Sequence, residues 1–254
     1  MKPASEHHHA GETSLFATSG ALDLLVAFCE TNHVNYDTVS VVLDIGARDC
    51  IQSRELATVF PSATVVAIEC NPDTLPACRA VAAANPRITL IEQAVHEHTG
   101  RTDFYQIDRD NTVTAWPDGN PGASSLFKAT GRYPIEDYKQ FKITVDCDRI
   151  DHICQNLQID NIDLIWIDLQ GAELIALRSA GTMLQNVRYI HTEVSFKPLY
   201  HGQCLYEELD KFLRHNGFEL CTPLERDLWQ QDVIYRNTRS FVDALVPVGP
   251  SLRE

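Results

Sequence analysis

Short runs of aliphatic and β-branched residues alternate along the chain with longer segments in which apolar residues recur at helical spacing. The runs predict buried strands, and the longer segments predict helices. Strands are expected at residues 41–45, 64–69, 88–91, 162–167 and 189–194, with weaker ones at 102–107, 141–145, 218–221 and 232–235. Helices are expected at residues 51–60, 72–84, 149–157, 172–180 and 205–216. Repeated strand–helix units with right-handed crossovers predict an α/β fold, a mostly parallel, doubly wound sheet.

The two ends of the chain and one internal segment depart from this alternation. The N-terminal residues are polar and include His7, His8 and His9, which we interpret as part of a disordered tail. We divide the chain into four parts. They are a tail at residues 1–14, an N-terminal helical cap at 15–40 with a helix at 15–31, one large domain at 41–240, and a C-terminal tail at 241–254. Residues 108–140 are rich in Gly, Pro and Asn, which favours an insertion or lid loop, with an exposed insertion of no function as the alternative.

The composition narrows the range of partners and functions that we expect for the protein. The chain has 35 Asp and Glu against 21 Lys and Arg, a formal net charge of −14. Such a surface repels phosphate backbones, so we expect no nucleic acid partner and instead a small-molecule substrate. With no apolar run long enough to span a membrane and no signal-peptide pattern, we expect a cytoplasmic protein with no membrane partner. The eight cysteines form no C-x-x-C pair, so we expect reduced thiols and no metal centre. The sequence leaves open whether the protein forms a homodimer.

Ligands of an open α/β sheet bind beyond the carboxyl ends of its strands, so the residues that follow each strand are the candidates. Gly46 follows the first strand and allows close approach of a ligand to the backbone. Glu69 ends the second strand, where an acid accepts hydrogen bonds from ribose hydroxyls. Gln93 follows the third strand, where we expect a polar group to contact the edge of an adenine base. A nicotinamide-dependent oxidoreductase is an alternative, and the absence of the later glycines of the dinucleotide fingerprint argues against it.

Acidic residues also follow the fourth and fifth predicted strands. Asp168 ends the fourth strand, and His191 and Glu193 close the fifth. Side chains of these types at neighbouring strand ends serve as general bases or hold a cation. Pairing with Arg or Lys, or capping of the next helix, is the structural alternative.

Five segments in order give the chain a more specific resemblance. They read VVLDIGA from Val41, IECNP from Ile68, GASSL from Gly122, IDLIWIDLQGAELIALRSAG from Ile162 and YIHTE from Tyr189. Together they cover about residues 40–220 and resemble the FkbM family of S-adenosylmethionine-dependent methyltransferases. The resemblance implies a Rossmann-like, seven-stranded sheet of the class I methyltransferase type, a methyltransferase domain at 41–240 and S-adenosylhomocysteine as product. Arg48 and Cys50 stand where the family usually has Asn and Gly, and Gln170 stands where an acid is common.

The resemblance also implies roles for individual residues. The expected cofactor-binding set is Asp44, Gly46, Ala47, Arg48, Glu69, Cys70, Asn71, Gln93, Ala94, Ser125 and Asp168. The expected reaction is O-methylation of a hydroxyl on a small molecule or sugar, with Asp168 as the base and Glu193 or His191 as the next candidates. A magnesium ion between Asp168 and the acceptor is a less favoured alternative. Two further functions compete with this one, namely an RNA-modifying methyltransferase and a catalytically inactive scaffold protein.

Overall fold

A seven-stranded sheet forms the centre of the computed structural model, which describes residues 20–239. In spatial order its strands are β3 (Ile88–Ile91), β2 (Thr64–Ile68), β1 (Val41–Ile45), β7 (Ile162–Ile167), β8 (Val187–Ser195), β10 (Gln230–Asn237) and β9 (Phe218–Leu220). β10 runs antiparallel to β8 and β9, and the other pairings are parallel. The chain order reverses between β1 and β7, which is the switch point of a doubly wound sheet. The predicted fold class is confirmed.

The helices follow the predicted alternation closely. They are α1 (Gly20–Thr31), α2 (Ile51–Val59), α3 (Leu75–Ala84), α4 (Ile150–Asn156), α5 (Glu173–Ser179) and α6 (Tyr206–His215). α1 belongs to a unit that ends at Val34, and the sheet and the remaining helices belong to a second unit from Asn35 onward. Residues 15–19 of the predicted N-terminal helix lie outside the described residues, as do the predicted tails at 1–14 and 241–254.

The main core lies on one face of the sheet. Side chains of Leu43, Ile165 and Ile190 point to this face from three adjacent strands, and all are fully buried. The apolar sides of α4, α5 and α6 pack against them, for example through Ile150 and Leu177. Complete burial of such a side chain contributes about 1.5–3 kcal/mol, so this layer fixes the positions of the strand ends.

A second sheet of three strands stands apart from the first. It has the order β4 (Ala94–Val95), β6 (Gln140–Asp148) and β5 (Gly100–Ile107). The sequence predicted parts of β5 and β6 as strands but did not predict that they form their own sheet. The segment between them, residues 108–139, is the predicted insertion. It folds back on the domain through isolated β-bridges, including one between Tyr105 and Ser125.

The predicted start of the second helix was wrong by three residues. The helix was expected from residue 72, but α3 begins at Leu75. The carbonyl of Asn71 accepts hydrogen bonds from the N–H groups of Thr74 and Leu75, and its side chain accepts one from Asp73. These bonds close a separate turn, because Asn side chains compete well for nearby backbone groups.

Asp44 is a carboxyl group buried within the central sheet. It is 1% exposed, and the Ser53 hydroxyl of α2 donates a hydrogen bond to it. Burial raises the pKa of Asp44 to about 7, and the nearby Glu69 carboxylate adds to the rise. The folded protein therefore favours the protonated carboxyl.

We expect Asp44 to make the free energy of unfolding depend on pH. The ordinary pKa is 3.8 and the folded pKa about 7, so its stabilising contribution is complete below about pH 4 and is lost as pH rises to 7. At about 1.4 kcal/mol per pKa unit, the loss is on the order of a few kcal/mol. Urea unfolding of the wild-type protein and of Asp44→Asn from pH 4 to 8 measures this loss. The difference between their free energies of unfolding isolates Asp44, since the contributions of other titrating groups cancel. A difference that does not change with pH would contradict this assignment.

Candidate functional site

A cleft opens at the carboxyl ends of β1, β2 and β7, beneath the insertion. Nine predicted cofactor residues line it: Gly46, Arg48, Glu69, Cys70, Asn71, Gln93, Ala94, Ser125 and Asp168. Asp44 and Ala47, also predicted, are not among the lining residues. Asp44 instead supports the cleft from within the sheet through its bond with Ser53.

The carboxylate of Glu69 is fixed by backbone groups on both sides of the cleft floor. One oxygen accepts the N–H of Arg48 at 2.8 Å, and the other accepts the N–H groups of Cys70 at 2.8 Å and Asn71 at 2.6 Å. Burial raises the pKa of Glu69 to about 7, and the three N–H groups oppose the rise. A carboxylate offers about four acceptor positions, so one remains for a ligand hydroxyl. The remaining acceptor position on Glu69 therefore fits a ribose hydroxyl of a nucleotide cofactor.

The turn after β1 has a left-handed backbone at three positions. Gly46 has φ 87°, Arg48 φ 51° and Cys50 φ 58°. A Cβ at position 46 would lie 1.9 Å from the carbonyl oxygen of Asp168, so only glycine lets β1 and β7 approach this closely. At the other two positions a side chain costs about 1–2 kcal/mol in this conformation. This explains why Asn and Gly are usual there.

Arg48 gains contacts with the insertion that offset this strain. Its Nη2 lies 2.7 Å from Oδ2 of Asp118, and its guanidinium covers the ring of Trp116 at 4.6 Å. The Sγ of Cys78 also donates to the carbonyl of Arg48 at 3.0 Å. Within residues 20–239, the buried Nε of Arg48 has no hydrogen-bond acceptor. A buried donor without a partner is rare in folded proteins.

The insertion is attached to both sides of the cleft through two adjacent serines. Ser125 Oγ donates to the carbonyl of Gln170 at 2.8 Å, next to the end of β7. Ser124 Oγ accepts the side-chain N–H of Asn71 at 3.2 Å, after the end of β2. The segment predicted as a lid thus covers the cleft and is held at both edges.

The second sheet contributes an apolar wall. Phe104 of β5 and Leu126 of the insertion line the cleft together with Gln93 and Ala94. Phe104 was not predicted from the sequence, because a strand in a separate sheet gives no local sign of where it packs. Leu126 had a signal, since it closes the Ser-Ser-Leu segment of the family resemblance. The wall and the two predicted residues form an enclosure suited to a flat, largely apolar base.

Three carboxyl groups form a row beside the cleft. Ile167 of β7 is in register with Thr192 of β8, so Asp168 and Glu193 follow side by side on neighbouring strands. Glu193 is in turn paired with Asp232 of β10. We call Asp168, Glu193 and Asp232 the carboxylate row. Asp232 was not predicted, because its place beside Glu193 depends on the antiparallel return of β10.

Different surroundings act on the pKa values of Asp168 and Glu193 in the carboxylate row. Burial raises the pKa of Asp168, but hydrogen bonds from Gln170, one of them at 2.7 Å from its side chain, and the charge of Arg48 oppose the rise. Burial raises the pKa of Glu193 well above its ordinary value, and the charges of Asp168 and Asp232 add to the rise. More groups favour the ionised form around Asp168 than around Glu193, so we expect Glu193 to keep a proton more readily than Asp168. Two carboxyls with such different environments are the usual basis of an acid–base pair.

His191 lies one row deeper in the sheet than Glu193. It is 1% exposed, and its ring stacks on Trp166 with the centroids 3.7 Å apart. Its Nε2 is 3.9 Å from Oδ1 of Asp232. The strand predicted at 189–194 extends one residue further, to Ser195, and the side chain beside the end of the neighbouring β7 is Glu193.

The sheet order, the glycine turn after β1 and the acid at the end of β2 together define a class I, S-adenosylmethionine-dependent methyltransferase. The chain belongs to the FkbM methyltransferase family, since the model of the methyltransferase FkbM domain matches residues 44–220. A curated relative is the 2-O-methyltransferase NoeI of Sinorhizobium fredii strain NGR234. It is 30% identical over 201 residues, which cover 78% of this chain and 80% of NoeI.

Solved structures with a similar fold are more distant. Fibrillarin of Aeropyrum pernix, with natively bound S-adenosyl-L-methionine, is 12% identical with a TM-score of 0.46, over 84% of this chain and 74% of fibrillarin. Magnesium protoporphyrin IX methyltransferase of Synechocystis, with bound cofactor, is 12% identical with a TM-score of 0.46, over 86% of this chain and 79% of that enzyme. Nothing about the substrate follows from similarities at this level.

Two further properties concern the described part of the chain. Among residues 20–239, no three His, Cys, Asp or Glu side chains are grouped so that they could hold a metal ion. In the same range, no helix has both the length and the apolar character needed to cross a membrane.

Replacement of Glu69 should weaken cofactor binding. We expect Glu69→Ala to weaken S-adenosylhomocysteine binding by at least about tenfold, since a buried hydrogen bond to a charged group contributes about 1.5–3 kcal/mol. Its melting temperature should also fall, because three backbone N–H groups lose their acceptor. Titration calorimetry measures the affinity. Glu92→Ala is the control, because Glu92 only forms an exposed ion pair with Arg79. Equal affinities in the two variants would contradict a ribose role for Glu69.

Proposed function

We propose that this protein transfers the methyl group of S-adenosylmethionine to a hydroxyl of a small, hydroxyl-rich molecule such as a sugar. The observation that carries the proposal is the carboxylate row directly beside the cofactor cleft. A carboxylate there accepts the hydroxyl proton that must leave as the new C–O bond forms. The relative NoeI, named as a 2-O-methyltransferase, supports oxygen as the atom that is methylated.

We expect the cofactor to bind the cleft in one orientation. The carboxylate of Glu69 would hold the ribose, and Phe104, Gln93 and Ala94 would enclose the base. The methionine part would then extend past Gly46 toward Asp168. When bound, S-adenosylmethionine supplies a methyl group already activated by its positive sulfur. The chain's own contribution is to align the acceptor with this methyl group and to exclude water, for which the attached insertion is suited.

Asp168 is our candidate for the base. Its carboxyl lines the cleft, and the Gln170 side chain holds one of its oxygens, which leaves the other for the acceptor hydroxyl. Its raised pKa brings it closer to that of a hydroxyl than an exposed Asp would be. Glu193, protonated, would donate a hydrogen bond to the acceptor or share a proton with Asp168. His191 would position the row through Asp232.

The acceptor would lie on the β8–β10 side of Asp168, since the cofactor takes the other side. Aromatic rings stand near the row there. Tyr133 contacts Trp229 edge to face at 5.7 Å, and burial together with the charges of Glu136 and Glu193 raises the pKa of Tyr133. Asp232 is 38% exposed at its side chain, so the row is open to solvent at that end. Carboxyls to bind hydroxyls and rings to cover C–H faces suit a sugar.

The carboxylate row bears on the competing functions. Phosphate groups would be repelled by the row and by the net charge of −14, so RNA is a poor acceptor. A scaffold protein without activity would have no use for a complete ribose site beside a base. All eight cysteines are free thiols, which supports a reducing, cytoplasmic location.

The base assignment is tested by a pair of amide variants. We expect Asp168→Asn to lower kcat by about 10²–10⁴-fold, the usual contribution of a general base, with S-adenosylhomocysteine affinity nearly unchanged. Glu193→Gln should lower kcat much less, because an amide resembles the protonated carboxyl we expect there. Single-turnover assays on purified protein measure both. Near-normal turnover by Asp168→Asn would exclude it as the base.

Metal dependence is tested separately. We propose direct proton removal by Asp168 and expect full turnover after EDTA treatment and gel filtration, with no gain on adding magnesium. The reason is that Glu193, adjacent to Asp168, keeps a proton more readily than Asp168 does and so is a poor metal ligand. Activity that is lost with EDTA and restored by magnesium would favour the bridging ion instead.

A further inference from the structure

The side chain of Arg48 is only partly engaged by the protein. One nitrogen pairs with Asp118 and one face covers Trp116, but the buried Nε meets no acceptor in the described part of the chain. Gly122 lies directly against it, since a Cβ at that position would come within 3.0 Å of Arg48 Nε. Glycine at position 122 therefore lets the insertion pack directly against this donor, and both residues line the cleft.

The orientation proposed for the cofactor decides which part of it lies near Arg48, and this step rests on the proposed function. Glu69 ends β2, and Gln93 and Ala94 follow β3, so the adenosine occupies that half of the cleft. The amino-acid part must extend the opposite way, toward the ends of β1 and β7. Arg48 lies there, close enough that its charge opposes the rise in the pKa of Asp168.

Three charged side chains line the cleft among the described residues. Asp168 and Glu69 are acidic, and Arg48 carries the one positive charge. The amino-acid part of the cofactor ends in a carboxylate, which acids repel and which a guanidinium binds with geometric specificity. An Arg N–H without a partner is the group that such a carboxylate would satisfy.

We propose that Arg48 binds the carboxylate of the cofactor's amino-acid part through Nε, while Nη2 keeps its ion pair with Asp118. One side chain then contacts the cofactor and the insertion together. Asn, usual in the family at this position, is uncharged and shorter, so the contact would be particular to chains with Arg here. It would also give a reason for placing a long side chain in a left-handed backbone position.

Two ligands separate this role from a general effect on the loop. S-adenosylhomocysteine has the amino-acid carboxylate, and 5′-methylthioadenosine has the same nucleoside without it. We expect Arg48→Gln to weaken binding of the first on the order of 10- to 100-fold, the usual effect of a lost charged hydrogen bond. Affinity for the second should change less than about threefold. Titration calorimetry on the full chain measures both.

Asp118→Asn is the matched control. It removes the ion pair with the insertion but leaves Arg48 in place, so the ratio of the two affinities should stay as in the wild-type protein. If Arg48→Gln leaves that ratio unchanged, or if Asp118→Asn alters it equally, Arg48 only anchors the insertion and the proposal is wrong. If the folded wild-type protein binds neither ligand, the proposed function itself fails, and this inference fails with it.

Discussion

The site is built around the carboxylate of Glu69. Its three backbone hydrogen bonds join the turn after β1 to the turn after β2, so the two strand ends become one surface. The group is buried and therefore costly to ionise, yet its position depends on accepting those bonds. The requirement is met because Arg48 directs its N–H toward β2 from a left-handed backbone. The strained turn and the buried acid thus depend on each other.

The insertion depends on the same turn. Its attachment points are Arg48 on one side and Gln170 on the other, and both residues follow strands of the main sheet with positive φ angles. Strained backbone is kept where the surroundings determine it strongly, and it is concentrated at sites of binding. The cover of the cleft is therefore positioned by the two turns that also form its floor.

The sequence was sufficient for the elements and for most of the cleft. Parallel strands bring their carboxyl ends to one edge, so knowing that Glu69, Gln93 and Asp168 follow strands was enough to group them. Phe104 and Asp232 could not be found this way. One comes from a separate sheet, and the other from a strand that runs antiparallel, so neither obeys the strand-end rule.

The two candidates on the fifth predicted strand, His191 and Glu193, occupy different places. Both were predicted because they lie close to the end of that strand. Alternation along β8 places them on the same face. Register with β7 then sets Glu193 beside Asp168 and leaves His191 stacked on Trp166. Register is fixed by long-range pairing, which local patterns do not encode.

The carboxylate row has a consequence for turnover in the proposed reaction. The proton taken from the acceptor would lie in a cleft that the insertion lines. The next carboxyl is one strand away, at a spacing of about 4.8 Å, and the one after it is Asp232, whose side chain is 38% exposed. Burial raises the pKa of Asp232 to about 7, which suits a group that exchanges a proton with water at neutral pH. The row would then pass the proton across three strands, and the cleft could be reset for another cycle without opening on the acceptor side.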